Sequence, residues 1–413
     1  MTTLLINIKE LVNVRTNNIL LRGETLRDLP VIKNSFLLIE DDVINTFGSM
    51  SDLQWMVPNK PSEVIDLTGK FVLPSWCDSH THIVFDGSRE SEFVDKINGL
   101  SYAEIAAKGG GILNSSQKLN AASENSLFDQ AWKRLKELQK LGTGAIEIKS
   151  GYGLTLDGEL KMLRVIKRLK ESSGMIIKST FLGAHTFPEE YKYNHDGYID
   201  LIINEMLPAV AKEKLADYID VFCESGFFSP GQTDKICKAG RNYGLRPKLH
   251  VNQLNSIGGI EEGIANDAVS LDHLETLSKH EIEMLGKWKG ISTLLPTAAF
   301  FLRMKFQPAR ELINAGAAIA LASDYNPGSS PSGNMNFVNA LSCIQMRMLP
   351  EEAINAATIN GAFAIEEEDK VGSIMIGKRA NLIITKEISS IASLSYNFGN
   401  NLIDSVLLNG QFV

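Results

Sequence analysis

The sequence predicts an α/β protein built on a (β/α)8 barrel of the TIM type, with a small β-sandwich domain formed by the two ends of the chain. Eight apolar runs of strand length alternate with segments of helical period, which is typical of a parallel barrel. Both chain ends lack a helical period and consist of short strand-like runs and turns, which predicts the second domain. The alternation alone would suit a doubly wound open sheet equally well.

The domain boundaries follow from these changes of pattern. A chain of 413 residues is long enough for one large domain and a smaller one. We expect residues 1–70 and 369–413 to form one composite β domain, and residues 71–368 to form the barrel. Within the second terminal segment, 371–374 and 380–384 are predicted strands, and 405–413 is a predicted hairpin.

The elements of the barrel can be placed individually. One helix is predicted over 124–141, because Leu127, Leu135 and Leu138 share a face, Ser123 can cap its start and Gly142 can end it. Further helices are predicted at 156–171, 198–215, 278–288 and 334–349. The eight predicted strands are 71–80, 144–148, 175–183, 218–223, 247–251, 268–273, 291–296 and 318–324.

Composition excludes several classes of function. The formal net charge is −8, which argues against nucleic-acid and membrane-surface partners, since both are bound through basic patches. The four cysteines form no Cys-x-x-Cys pair, which is typical of a reducing cytoplasm. We find no signal peptide pattern and no apolar run of membrane-spanning length, so a cytoplasmic location is expected.

Histidines collect where the predicted strands end. His80 and His82 lie two residues apart on an extended segment, so both imidazoles point to the same side, as a metal chelate requires. The carboxyl ends of parallel barrel strands converge on one face, where active sites lie. His195 and His280 fall elsewhere and are expected on the surface. The residues that end the other predicted strands are His185, His250, His273 and Asp324.

Four of these residues predict a metal site. His80, His82, His250 and Asp324 together make a ligand set suited to zinc or iron. A metal in such a site lowers the pKa of a coordinated water to about 7, which supplies hydroxide at neutral pH. Asp324 could bind the metal and also accept the proton from that water.

Other residues near these strand ends could bind a substrate. Arg89 could hold a carboxylate with two hydrogen bonds, although an ion pair within the protein is the favoured explanation from spacing alone. Tyr152 follows the second strand, and a simply packed tyrosine is the alternative there. The turn at 326–331 offers backbone groups and small polar side chains to a ligand. The glycine triplet at 109–111 could form a flexible loop over the site.

These residues resemble a known family. A barrel with His-x-His, a fifth-strand histidine and an eighth-strand aspartate resembles the amidohydrolase superfamily, and longer strings resemble its imidazolonepropionase family. The resemblance covers nearly the whole chain and is densest from 70 to 335. The strings that carry it are 81–93, 101–105 with the glycine triplet, 147–153, 181–185 and 324–329.

The resemblance implies an activity and a set of roles. It implies one zinc or ferric ion per chain on His80, His82, His250 and Asp324, and the hydrolysis of 4-imidazolone-5-propanoate to N-formimidoyl-L-glutamate in histidine degradation. The propanoate would lie near Arg89 and Tyr152, while His185 would contact the ring and polarise its carbonyl group. A homodimer is also implied. The residues expected to complete the pocket are Asn326, Gly328 and Ser329.

The chain departs from the family pattern at one position. The family commonly has glutamate three residues after the fifth-strand histidine, and here that residue is Gln253, which cannot take a proton near pH 7. We hypothesise that Asp324, with His273 nearby, carries the proton, and that Gln253 orients the ring or the water. Two alternatives remain: a related cyclic amidohydrolase or aminohydrolase acting on another ring, and a metal-binding barrel that has lost catalysis.

Overall fold

The computed structural model describes residues 2–100, 104 and 110–413, and its strands form two eight-stranded sheets. The glycine triplet is only partly described, and the predicted string at 101–105 lies outside the described residues except for Glu104. The strands are β1 (Thr2–Val12), β2 (Val31–Glu40), β3 (Val43–Ser49), β4 (Glu63–Asp66), β5 (Phe71–Pro74), β6 (Trp76–Asp78), β7 (Thr143–Lys149), β8 (Ile176–Ala184), β9 (Tyr218–Cys223), β10 (Arg246–Val251), β11 (Ser270–His273), β12 (Ile291–Leu294), β13 (Ala318–Leu321), β14 (Leu382–Thr385), β15 (Ile403–Leu408) and β16 (Gln411–Phe412).

The barrel consists of β6 to β13, which lie side by side in chain order and pair in parallel. Its first and last strands are joined just beyond their ends, where Asp324 N donates to His80 O at 3.0 Å and His82 N donates to Tyr325 O at 2.9 Å. The carboxylate of Asp78 also accepts hydrogen bonds from Ser323. The predicted TIM-type barrel is therefore confirmed, and its closure brings the first and eighth strand ends together.

Helices connect the barrel strands and cover their outer face. The helix predicted over 124–141 is confirmed, because the Ser123 side chain caps it and Gly142 follows with φ +95°. The helices are α1 (Leu53–Met56), α2 (Glu90–Ile97), α3 (Ile112–Ala121), α4 (Glu124–Lys140), α5 (Leu156–Ser173), α6 (His195–Leu201), α7 (Leu207–Glu213), α8 (Pro230–Arg241), α9 (Gly259–Ala265), α10 (Lys279–Lys287), α11 (Pro296–Leu302), α12 (Ala309–Ala315), α13 (Met335–Met346), α14 (Pro350–Ala357), α15 (Ile359–Ala364) and α16 (Ser393–Tyr396).

The two ends of the chain form the second sheet together. β1 lies at its centre: β2 pairs with one edge, while β4 and β5 share the other edge. β5 continues through β14 to the terminal β15–β16 hairpin, whose turn residues Asn409 and Gly410 both have positive φ, as a type I′ turn requires. The composite module from both termini is thus confirmed, and hydrogen bonds join all of its strands into one mixed sheet.

Three predicted elements differ from the structure. The strand predicted over 71–80 is divided, because Phe71–Pro74 pairs within the terminal sheet and only Trp76–Asp78 enters the barrel. An uninterrupted apolar run does not reveal that its two halves have different partners. Residues 371–374 form a bend, with a single bridge at Ile374. The helix predicted over 198–215 begins at His195 and passes through a π turn, Ile202–Met206, before α7.

The described helices include none long and apolar enough to cross a membrane.

His195 and His280 are exposed, as predicted for both. The largest apolar core surrounds the barrel strands and continues under the outer helices.

Candidate active site

The four side chains predicted to bind a metal converge at the carboxyl ends of the barrel strands. His80 Nε2 lies 3.1 Å from His250 Nε2 and 3.4 Å from His82 Nε2. Asp324 Oδ1 lies 3.6 Å from His80 Nε2 and 3.5 Å from His82 Nε2. Tetrahedral zinc with Zn–N bonds of about 2.0–2.1 Å separates its ligand atoms by roughly 3.3 Å. The predicted ligand set is therefore assembled at spacings that fit a metal ion.

Buried carboxylates fix two of the imidazoles. His80 Nδ1 lies 2.6 Å from Asp272 Oδ2, and His250 Nδ1 lies 2.8 Å from Asp220 Oδ2. A carboxylate accepts, so each Nδ1 carries the proton and each Nε2 presents a lone pair toward the other ligands. Lone pairs that face one another at these distances repel unless a cation lies between them. The donor chemistry thus fits a metal ion as well as the spacing does.

A buried lysine joins those two carboxylates. Lys149 Nζ lies 2.8 Å from Asp220 Oδ2, 3.6 Å from Asp272 Oδ2 and 2.7 Å from Glu147 Oε1, and all four side chains are fully buried. Burial acts to lower the pKa of Lys149, but the three surrounding carboxylates raise it above its ordinary value. Lys149 therefore stays cationic and compensates the charges that hold the histidines.

The titration of the ligands also favours metal binding. Burial, followed by the charges of Lys149 and of neighbouring histidines, lowers the pKa of His80, His82 and His250 well below the usual value. Burial raises the pKa of Asp324 to about 6. All three imidazoles are consequently neutral at physiological pH, which is the form that binds metal.

His273 lies beside the ligands. One of its ring nitrogens, one of His80 and a carboxylate oxygen of Asp324 all lie within 4.8 Å of one another. Burial acts to lower the pKa of His273, but Glu275, whose Oε1 lies 3.3 Å from His273 Nδ1, raises it to about 8. His273 and Asp324 have φ of +87° and +51°, a costly conformation for residues with a side chain. The structure thus keeps an imidazolium close to Asp324.

Three of the four predicted ligands, His82, His250 and Asp324, line a cavity of about 520 Å³, whereas His80 is fully buried behind them. The other residues predicted for the site all line this cavity. The additional lining residues come mainly from α2, from the loops after β9 and β10, and from the segment after α11. Those that the sequence analysis did not single out are Lys96, Ile112, Phe222, Phe227, Leu254, Leu302 and Met304.

The hydrogen bond of His185 decides its tautomer. His185 Nδ1 lies 2.9 Å from the carbonyl oxygen of Gly151, which can only accept, so Nδ1 carries the proton. Burial lowers the pKa of His185 to about 4, so the ring is neutral and its Nε2 is an acceptor. This arrangement suits a ring N–H of a substrate. Polarising a carbonyl would require a donor at Nε2.

Tyr152 lies in a loop held by one carboxylate. Glu159 Oε1 accepts hydrogen bonds from Gly153 N and Leu154 N, and its Oε2 accepts one from Gly151 N. Tyr152 is 3% exposed and lines the cavity, and burial raises the pKa of its hydroxyl, which therefore remains protonated. The loop thus presents a hydrogen-bond donor to the cavity.

Arg89 and Lys96 place two cations at one side of the cavity. Arg89 Nε and Nη2 donate to Glu92 Oε2 at 2.8 and 2.5 Å, so the ion pair weighed from the sequence is present, although Arg89 also lines the cavity. Burial acts to raise the pKa of Glu92, but Arg89 and the amide of Gly111 lower it. Lys96 Nζ contacts the Gly328 carbonyl oxygen at 3.4 Å.

The turn after β13 is organised by Asn326. Its Oδ1 accepts from Gly328 N and Ser329 N, both at 2.8 Å, and its Nδ2 donates to Asp324 O and Ser329 Oγ, both at 2.7 Å. Ser329 Oγ in turn donates to Asp324 Oδ2 at 3.1 Å. Asn326 therefore shapes the turn, and Ser329 orients the carboxylate of Asp324.

Gln253 lies in the loop after β10, two residues beyond the end of the strand. It lines the cavity and is 9% exposed. The loop is held by Glu224, whose Oε2 accepts from Leu254 N and Asn255 N at 2.9 and 3.1 Å.

The sequence analysis missed the charged residues behind the ligands. Glu147, Lys149, Asp220 and Asp272 interrupt apolar strands, and Glu147 and Lys149 are two residues apart, so they point to the same side of β7. Charged residues inside a fully buried strand could have given the signal, because such residues are retained only when paired. Lys96 follows Arg89 by seven residues, which places both on one face of a helix.

Comparisons with known proteins agree with this geometry. Residues 228–413 match the model of the amidohydrolase family. The chain is 57% identical over 414 residues to an imidazolonepropionase from Flavobacterium johnsoniae, with all of both chains covered. It is 42% identical over 391 residues to an imidazolonepropionase from Clostridium tetani, covering 95% of this chain and 93% of the relative.

Solved structures share the fold at low sequence identity. Guanine deaminase from E. coli superposes with a TM-score of 0.74 at 14% identity, covering 100% of this chain and 99% of that one. An atrazine chlorohydrolase from Arthrobacter aurescens, solved in complex with zinc, gives a TM-score of 0.69 at 14% identity, covering 99% and 94% of the two chains. From the full-length identity to its relatives, the chain belongs to the imidazolonepropionase family of amidohydrolases.

Proposed function

We propose that this protein hydrolyses the ring amide bond of 4-imidazolone-5-propanoate to N-formimidoyl-L-glutamate, as a step of histidine catabolism. The observation that carries the proposal is one cavity with a three-histidine, one-aspartate donor set on one side and two cations on the other. The names of the relatives support the same substrate. A cytoplasmic location and a homodimer are part of the proposal.

The proposed cofactor is one Zn²⁺ or Fe³⁺ per chain, held by His80, His82, His250 and Asp324. When bound, the metal supplies Lewis acidity, which polarises a carbonyl group and lowers the pKa of a water molecule to about 7. Asp220 and Asp272 keep His250 and His80 in the tautomer that binds the metal through Nε2.

The proton is proposed to move through Asp324 and His273. Asp324 accepts a proton from the water whose oxygen adds to the ring carbonyl carbon. The carbon–nitrogen bond then breaks, and the departing ring nitrogen takes a proton from the His273–Asp324 pair. A pKa of about 8 leaves His273 largely protonated at neutral pH, as a proton donor must be.

The substrate is proposed to span the cavity. His185 Nε2 accepts the ring N–H, since its tautomer excludes a donor there, and Gln253 orients the ring or the water. Arg89 and Tyr152 bind the propanoate. Gly328 lets the Arg89 guanidinium approach the turn, where a β-carbon would lie 2.2 Å from Arg89 Nη1, and Asn326 and Ser329 shape the rest of that wall.

The test is to purify the protein, quantify bound metal and assay release of formimidoylglutamate. We expect one metal per chain and hydrolysis of imidazolone propanoate in preference to uncharged rings. Faster turnover of an uncharged ring would favour a related cyclic amidohydrolase or aminohydrolase. One metal per chain without hydrolysis of any ring would favour a barrel that has lost catalysis.

Gln253 variants test the proton route. Gln253→Ala is expected to lower kcat/KM by about 10-fold, since one hydrogen bond to the reacting groups is lost. Gln253→Glu is expected to give no large gain, because Asp324 and His273 already carry the proton. A greatly increased turnover of Gln253→Glu would contradict this route, and a fully active Gln253→Ala enzyme would remove Gln253 from the mechanism.

A further inference from the structure

Within the described ranges, the cation side of the cavity has two positively charged side chains, Arg89 and Lys96, but only one carboxylate, that of Glu92. Arg89 is the N-cap residue of α2, and Glu92 and Lys96 follow it at spacings of three and four residues, so all three lie on one side of the helix. Glu92 is paired with Arg89 through two hydrogen bonds, and both side chains are at most 10% exposed. The Arg89–Glu92 pair is therefore neutral as a unit, and Lys96 adds one net positive charge.

Lys96 is held in place without a carboxylate partner of its own. Among the described residues, no carboxylate oxygen lies within 4 Å of Lys96 Nζ, whose contacts are the Gly328 carbonyl at 3.4 Å and the face of Phe301 at 5.8 Å. Burial and the nearby charge of Arg89 lower the pKa of Lys96 from its ordinary value. An anion near this amine would relieve both effects, since it would supply the missing counter-charge.

Both cations converge on one peptide of the cavity wall. Arg89 Nη1 lies 2.2 Å from the position that a β-carbon on Gly328 would take, and Lys96 Nζ lies 3.4 Å from the carbonyl oxygen of the same residue. A carboxylate that enters beside Gly328 can reach both groups. Because Glu92 already occupies Nε and Nη2 of Arg89, the guanidinium offers this carboxylate fewer donors than a free arginine would.

We propose that Lys96 is the residue that supplies the net charge for binding the substrate carboxylate, and that it sets the preference for carboxylate-bearing rings over uncharged ones. This inference rests on the proposed function for the identity of the substrate, but the charge preference of the cavity can be measured separately. Arg89 acts in this arrangement as a directional donor that Glu92 holds in position.

The experiment compares Lys96→Met with Lys96→Arg in the metal-loaded, full-length protein. For imidazolone propanoate, Lys96→Met is expected to raise KM by about 10- to 100-fold and leave kcat within about threefold, because a charged contact made equally in substrate and transition state is lost. Lys96→Arg is expected to restore KM to within about fivefold of the parent, since it keeps the charge. Lys118→Met, an exposed lysine outside the cavity lining, is the matched control.

Binding measurements separate this inference from the proposed reaction. Measured by calorimetry, the Lys96→Met protein should bind imidazole-4-propanoate at least about 10-fold more weakly than the parent does. Its affinity for 4-propylimidazole should equal that of the parent. The role of Lys96 would be overturned if Lys96→Met had a KM within twofold of the parent value and also kept, within twofold, the parent's preference for imidazole-4-propanoate over 4-propylimidazole. A parent enzyme that prefers the carboxylate probe through Lys96 but does not hydrolyse imidazolone propanoate would overturn the reaction alone. Lys96→Gln provides the same readouts if Lys96→Met does not fold.

Discussion

The two sides of the cavity are built in different ways. The metal side is formed by residues at the ends of barrel strands, and its ligands are held by fully buried carboxylates and Lys149. The cation side is formed by α2 and the turn after β13, and Lys96 there is only partly buried. The side proposed to perform the chemistry therefore rests on the rigid barrel, whereas the side proposed to select the substrate rests on connecting segments.

This comparison predicts that damage on the metal side costs both stability and metal affinity. Lys149→Met leaves three buried carboxylates without their shared cation, so we expect unfolding free energy to fall by about 3–5 kcal/mol. Metal affinity should fall by about 10- to 100-fold, because the carboxylates that orient His80 and His250 lose their compensation. Denaturant unfolding and competition with a chelator measure the two effects.

Lys248→Met is the matched control for that variant. Lys248 is also fully buried and lies 3.0 Å from Glu147 Oε2, but its other polar contact is the carbonyl oxygen of Ala364. The Lys248→Met protein should lose stability to a similar degree as Lys149→Met and keep the metal affinity of the parent. If Lys149→Met bound the metal as tightly as Lys248→Met and the parent protein do, Lys149 would not support the ligands.

Acidification should release the metal through the aspartate and not through the imidazoles. The pKa of Asp324 in the metal-free site is raised to about 6, whereas those of His80, His82 and His250 lie well below their usual value. Metal affinity is therefore expected to be constant above about pH 6 and to fall about tenfold per pH unit below it, since one proton competes with the metal.

Chelator competition across the pH range measures this effect. Replacing Ser329 by alanine removes a donor to Asp324 and should move the onset of metal loss to higher pH. A fall of about a hundredfold or more per pH unit would mean that histidine protonation contributes near pH 6, which contradicts the expected order.

A smaller effect is expected on the cation side. In Gly328→Ala the added methyl group would lie 2.2 Å from Arg89 Nη1, so the guanidinium must shift. KM for the carboxylate substrate should rise by about 10-fold, with kcat, metal content and thermal midpoint nearly unchanged, because only substrate binding is disturbed. Gly231→Ala, an exposed helical position with open space around it, is the matched control. An unchanged KM in Gly328→Ala would show that the position of Arg89 does not matter for binding the carboxylate.

Most of the fold and the predicted ligand set could be read from the sequence. Strand-length apolar runs and helical periods are local patterns, and the eighth-strand Asp324 and fifth-strand His250 could be located because parallel strand ends meet on one face. The divided segment at Phe71–Pro74 could not be predicted, because an extended apolar run has the same pattern in either sheet.

The sequence alone determined the alternation of eight strands with helices, the place of His80, His82, His250 and Asp324 at strand ends, and the absence of a proton-accepting side chain at Gln253. The closed barrel was chosen over an open sheet through the family resemblance, and the structure confirms it. Only the tertiary structure decided how Lys149 joins Asp220 and Asp272, that Glu92 neutralises Arg89, and that Lys96 remains as the net charge. The physical reason is that the sequence gives the identity of each residue but not its neighbours in space. The net charge around a side chain and the tautomer of a histidine depend on those neighbours, which come from distant parts of the sequence or from the next turn of a helix.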